Sequence, residues 1–257
     1  MNIGLDGPED HAMLEKTLSM IHLIGQMHDS LPADAAHLGQ PGSDLADLIV
    51  ALPEPPVDLR MSIVAGLESA RGALSQISSF IQDGIPTTLP VLQTLVRSAL
   101  LGAGRVVYVL GPSSPQARED NARMVLRQEA KSLMRAYSSF EQFKQLLLVV
   151  PPADVVAAQR ERNDVLQRGA AVIGEEKTLM AMASVVAETL TANGFDSPEG
   201  VPLEIMSWIF NVYSGVAHGF GWPRLVPDAV FVADLHMVTC VAHLAFDLTS
   251  QRSTAAG

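Results

Sequence analysis

The chain has 257 residues, 48% of them hydrophobic and 18% charged, a balance that builds a sizeable core and excludes an intrinsically disordered protein. Its formal charge of −11 at pH 7 argues against a protein that coats DNA or an anionic membrane. A local basic site stays open to it, because repulsion between exposed charges is screened beyond about 8 Å at physiological salt.

The predicted elements follow in chain order. Glu9 to His28 places Leu14, Leu18, Ile21 and Ile24 or Leu23 at helical spacing, which predicts a first amphipathic helix. From Asp29 to Pro56 the composition turns to Pro, Gly, Asp and Ala around a short apolar piece, Leu45 to Leu52. That pattern fits a loosely held excursion with at most one short helix. Asp58 has the character of an N-cap for a helix carrying Met61, Val64, Leu67, Leu74, Ile77 and Ile81 that closes at Gly84 before Pro86. Thr88-Leu89-Pro90 opens the next helix, which ends at Gly111-Pro112. A strand over Arg105 to Leu110 is set aside, since Gly102 and Gly104 precede the apolar run, whereas a dinucleotide fingerprint places its glycines after the strand.

Ser113-Ser114-Pro115 caps a long helix to about Val149, with Arg123, Arg127, Lys131 and Arg135 recurring every four residues as a basic stripe. Further helices are predicted over about Ala153 to Ile173, about Thr178 to Ala192, Pro202 to Gly219 or Gly221, and from Pro227 through Thr249. Strand signals are scarce. The expectation is an all-α multi-helix bundle of about seven to eight helices with no significant sheet. An acidic N-terminal helix and Pro/Gly-rich loop, residues 1–57, pack on or flank a bundle domain of residues 58–250, and a polar tail, residues 251–257, is disordered. The single Cys240 excludes an intramolecular disulfide, and the acidic opening MNIGLDGPEDHAM lacks a signal-peptide pattern, so a cytoplasmic setting is expected. The apolar runs Val91 to Leu110 and Val230 to Leu248 are interrupted by charges and histidines and read as buried helices rather than membrane spans.

The densest stretch chemically is Val201 to Trp222, VPLEIMSWIFNVYSGVAHGFGW, with both tryptophans and a tyrosine. On a helix, Asn211, Ser214 and His218 fall at i, i+3 and i+7 on one side, with Tyr213 beside them. Histidine is the natural proton carrier near neutral pH and a phosphate donor when charged. The bland account is a histidine that closes a helix end against its dipole. The Arg123, Arg127, Lys131 and Arg135 stripe has phosphate-gripping chemistry, although Glu119 and Glu129 nearby are what a solvated, ion-paired face also has. His236, Cys240 and His243 share a face of the last helix and have ligand types suited to zinc. Without a CxxC or HExxH pattern no metal or other cofactor is assigned to them.

The segments LVRSALLGAGRVVYVL, REDNARMVLRQEAKSLMR and YSGVAHG together resemble a diverged group of bacterial helical proteins related to the HEPN (higher eukaryotes and prokaryotes nucleotide-binding) domains, over about residues 88–250. That resemblance implies metal-independent RNA cleavage of the toxin or phage-defence type. It implies an Arg and a His four to six residues apart on one helix, often in a site shared across a homodimer. His218 matches the His. Positions 211 to 213 are Asn, Val and Tyr, so the cation must come from elsewhere, and Arg97 or the Arg123 to Arg135 stripe are the candidates. RNA or a nucleotide is the implied ligand. The alternative expectation is a non-catalytic helical binding or protein-interaction module.

Overall fold

A computed structural model describes residues 7–32, 35–52, 58–140, 175–195, 200–225 and 230–254. Eight α-helices lie among them: α1 (Pro8–Ser30), α2 (Asp44–Ala51), α3 (Leu59–Gln82), α4 (Leu89–Leu110), α5 (Pro115–Phe140), α6 (Glu175–Ala192), α7 (Val201–Ala217) and α8 (Phe231–Ser253). Two short 3-10 turns, Ala35–His37 and Trp222–Leu225, complete the regular structure, and no strand occurs among the described residues. The protein is an all-α multi-helix bundle. The end of the long helix towards Val149 and the helix expected over Ala153 to Ile173 fall outside the described residues.

Local sequence accounts for the helix ends. Ser43 Oγ accepts from the Ala46 N–H at 3.2 Å to start α2, and Asp58 Oδ1 accepts from the Arg60 N–H at 2.9 Å to start α3, each satisfying an amide that the first turn leaves unpaired. Helix α4 runs without interruption through Arg105 to Leu110 and is followed by Gly111-Pro112. At its end the Tyr108 carbonyl, orphaned by the helix stop, is taken by the Asn121 side-chain amide at 2.7 Å.

The central element is α4, which packs against α3, α5, α6, α7 and α8. A helix with five neighbours must be apolar nearly all round, and every residue from Val106 to Leu110 is buried. Its closest approach is to α3. A Cβ placed on Gly66 would lie 2.8 Å from the Gly102 carbonyl oxygen, and one on Gly102 would collide with the Gly66 carbonyl, so glycine at both positions sets the spacing of the two helices. Gly104 has a different neighbour, the Met182 side chain of α6.

Residues 8–52 are joined to the same core. Leu14, Ile21 and Ile24 of α1 and Leu38, Leu45 and Leu48 are buried in it, and α1 packs on α8 and α3. Asp44 at the start of α2 is shared by two arginines, Arg118 of α5 at 3.2 Å and Arg252 of α8. Arg118 is buried and spends its Nη1 on the Pro112 and Ser113 carbonyls, both at 2.9 Å. Helix α8 consequently runs on through Ser253, into the stretch expected to be disordered, because Arg252 is anchored on Asp44 and the Ser253 carbonyl accepts from the Gln40 N–H at 2.9 Å. Among the described helices α8 is also the one long and apolar enough to cross a membrane, with a mean hydropathy of 1.4 over its best window, 72% of which is buried inside the bundle.

Candidate functional site

Helix α7 is placed by α4 on one side and α8 on the other, and how it ends determines what it presents. The His218 N–H bonds to the Ser214 carbonyl at 2.9 Å, Gly219 to Val216 at 2.9 Å and Phe220 to Gly215 at 2.9 Å. Gly219 takes a φ of +71°, which an L side chain rarely adopts. This is a Schellman closure, and it fixes His218 as the C-cap of the helix, at the negative end of its dipole. The chain then folds back, so that the Trp222 indole lies against Gly215. A Cβ there would meet the ring at 2.6 Å.

Across from this end stands Arg97 of α4. Its Nε–H donates to Ser214 Oγ at 2.8 Å, and its guanidinium carbon sits 5.2 Å from the centre of the Phe210 ring, a cation–π contact. Ser214 accepts in this bond and keeps its own hydroxyl proton to donate. Among the described residues the terminal amines of Arg97 take no acceptor. One turn beyond Ser214, the exposed His218 imidazole lies 6.0 Å, centre to centre, from the Phe220 ring. One turn before Ser214, Asn211 is exposed beside a small cleft lined by Phe210, Met180, Met182 and Met206. A planar cation, a free hydroxyl and an imidazole on one open face make an arrangement suited to binding an oxyanion.

Tyr213 faces the other way. It is 1% exposed, and its hydroxyl donates to Asp234 Oδ2 of α8 at 2.6 Å. Asp234 is 3% exposed, and the Trp208 side chain beside it and Gln93 of α4 beside Tyr213 both favour the charged forms of this pair. Burial pushes the Asp234 carboxyl up to about 6 against the opposing pull of Tyr213 and Trp208. Burial and the neighbouring Asp234 charge both hold the Tyr213 phenol well above its ordinary value. Tyr213 thus leaves the open face and joins α7 to α8 through its buried bond to Asp234. Asn211, Ser214 and His218 remain on the open face. The sequence reading missed Gln93, Trp208 and Asp234. The readable signal was Asp234 itself, an acid inside a nearly continuous apolar helix, which requires a buried partner.

The basic stripe lies apart, on α5, which packs on α4, α2 and α3. Arg123 is engaged with Glu119 and reaches the Ala51 carbonyl at the end of α2 at 3.3 Å. Arg127 is half-buried, and Lys131 and Arg135 are exposed. Arg105 of α4 meets Glu129 of α5 at 3.4 Å.

His236 and Cys240 are tied into packing. The Thr17 hydroxyl spends its proton on the Met13 carbonyl at 2.7 Å, so at 2.9 Å it accepts from His236 Nδ1–H, and the bare Nε2 faces the Cys240 thiol at 3.8 Å. Burial pushes that thiol up to about 11, partly offset by Lys16, which keeps it protonated at neutral pH. Among the described residues no cluster of three or more His, Cys, Asp or Glu side chains has metal-binding geometry.

Comparison with known proteins returns no matching family, no matching curated protein and no matching solved structure. The class defined by the fold is the all-α multi-helix bundle, and the likeness to HEPN domains rests on the residues alone.

Proposed function

We propose that the protein is a HEPN-like helical protein acting on RNA or a nucleotide at the face made by Arg97, Ser214 and His218. The observation that carries this is the Arg97 to Ser214 hydrogen bond of 2.8 Å, which brings from α4 the cation that α7 itself lacks. In metal-independent cleavage the 2′-hydroxyl attacks the adjacent phosphorus while the P–O5′ bond breaks. His218 exchanges the proton, and Arg97 with the Ser214 hydroxyl holds the charge that builds on the phosphorane oxygens. Asn211 borders the same face and is assigned to substrate contact. Arg127, Lys131 and Arg135 are secondary phosphate contacts for a longer strand, whereas Arg123 is largely engaged within the chain. A cytoplasmic setting and a homodimer that brings two such faces together belong to this reading. RNA degradation by the purified protein in EDTA, beside His218→Ala and Arg97→Gln, tests it: loss in both variants supports it, and equal activity in all three removes it.

One observation favours the second reading, a non-catalytic binding module. Phe220 is 59% exposed and Trp222 47%, next to His218, and aromatic side chains so presented are what a recognition surface offers to a protein or nucleic-acid partner. Binding of RNA without any cleavage supports that reading.

A further inference from the structure

A second polar site lies on the other side of α3, in a groove of about 760 Å³ between α1 and α3. Arg71, Ser75, Ser78, Ser79 and Gln82 fall at i, i+4, i+7, i+8 and i+11, so α3 turns a continuous polar stripe towards the groove. Its opposite side, Leu67, Ala70, Leu74 and Ile77, enters the core. Ser75 and Gln82 are exposed and Arg71, Ser78 and Ser79 half-buried, so the stripe lines the open groove rather than the contact between the two helices.

Two independent features point to an occupant. Arg71 Nε is shut off from solvent and has no hydrogen-bond acceptor, an unusual state for a donor on a charged group. The hydroxyls of Ser75, Ser78 and Ser79 make no hydrogen bond among the described residues, leaving further donors beside it. Gly25, in the interior of α1, lines the same groove, and a Cβ on it would meet nothing within 4 Å. Glycine there destabilises the helix relative to alanine, and, unlike Gly66 and Gly102, it relieves no crowding. What its missing side chain provides is room in the groove.

We propose that this groove binds a small phosphate ester carrying free hydroxyl groups, of the sugar phosphate class. A guanidinium fork matches a phosphate, and the serine hydroxyls complete its shell. Glu15 lines the groove too and repels a bare anion, but its carboxylate accepts from ligand hydroxyls. Gln82 and His22, the latter bonded to Gln26 at 3.1 Å, add polar groups along the walls.

Isothermal titration of the full chain with ribose 5-phosphate, glucose 6-phosphate, ribose and inorganic phosphate tests the assignment. At least one sugar phosphate binds saturably at submillimolar concentration, and ribose and inorganic phosphate bind far more weakly. Arg71→Gln weakens the sugar phosphate by about tenfold or more, as loss of a charge-assisted contact requires. Gly25→Leu fills the groove and blocks binding, while Gly25→Ala retains it, and a thermal melt establishes that each variant is folded. Absence of saturable binding by both sugar phosphates overturns the proposal. Equal affinity for inorganic phosphate overturns the hydroxyl-bearing class, and unchanged binding in Arg71→Gln and Gly25→Leu overturns the location.

Discussion

The Tyr213 hydroxyl and the Asp234 carboxylate meet at 2.6 Å in the interior, joining α7 to α8 immediately beside the residue that Arg97 contacts. The pair holds the back of α7 and so fixes where Ser214 points. Removing the hydroxyl in Tyr213→Phe leaves a buried carboxylate short of one donor, at a cost of about 1–3 kcal/mol. Urea denaturation at pH 7.5 measures it, and a loss below experimental error contradicts the structural role assigned to the pair.

The same pair makes stability depend on pH. Asp234 titrates at about 6 when folded against 3.8 in the unfolded reference, so the folded protein holds this proton more tightly. Its contribution is fully present below about pH 4 and is lost as pH rises through about 6. The loss at full ionisation is on the order of 3 kcal/mol. Other carboxylates titrate in the same range, so the comparison to make is with Asp234→Asn. Between pH 4.5 and 7.5 the wild type loses stability relative to that variant, as followed by denaturation at the two pH values, and a constant difference contradicts the shift.

Two glycine substitutions separate close packing from open space. Gly102→Ala drives a methyl group into the Gly66 carbonyl and forces α3 from α4, destabilising by about 1–3 kcal/mol. Gly25→Ala meets nothing and stabilises α1 by about 0.5–1 kcal/mol. Thermal melts of the two variants should move in opposite directions.

Asp44→Ala strips the shared acceptor from Arg118 and Arg252 at the junction of α2, α5 and α8. Because Asp44 is half-exposed and Arg118 keeps its two carbonyl partners, the cost falls below that of breaking a fully buried pair, at about 1–3 kcal/mol. Amide hydrogen exchange then rises first in residues 38–52, and unchanged protection there contradicts the anchoring role.

Helix punctuation was legible in the chain itself. Asp58, Thr88-Leu89-Pro90, Gly111-Pro112 and Gly84-Pro86 mark ends that depend on local hydrogen bonds and allowed φ values, which are properties of a few adjacent residues. Burial of Leu38, Leu45 and Leu48 was not legible, because it depends on Asp44 finding Arg118 and Arg252, 74 and 208 positions away. The open face was readable in part: Asn211, Ser214 and His218 follow from helical spacing, but the partner of Ser214 is 117 positions earlier, on α4. Tyr213 shows the limit of spacing arguments. It is adjacent to Ser214 in sequence, and the roughly 100° turn per residue, with Asp234 waiting on α8, takes it into the interior.

The most direct measurement is the rate of cleavage of a single-stranded RNA by the purified protein in EDTA, with His218→Ala and Arg97→Gln measured beside it. The proposed chemistry predicts cleavage by the wild type and a loss of about a hundredfold or more in each variant at unchanged thermal stability, since each removes a group acting on the transition state. No cleavage by the wild type, or the same rate in all three proteins, contradicts it.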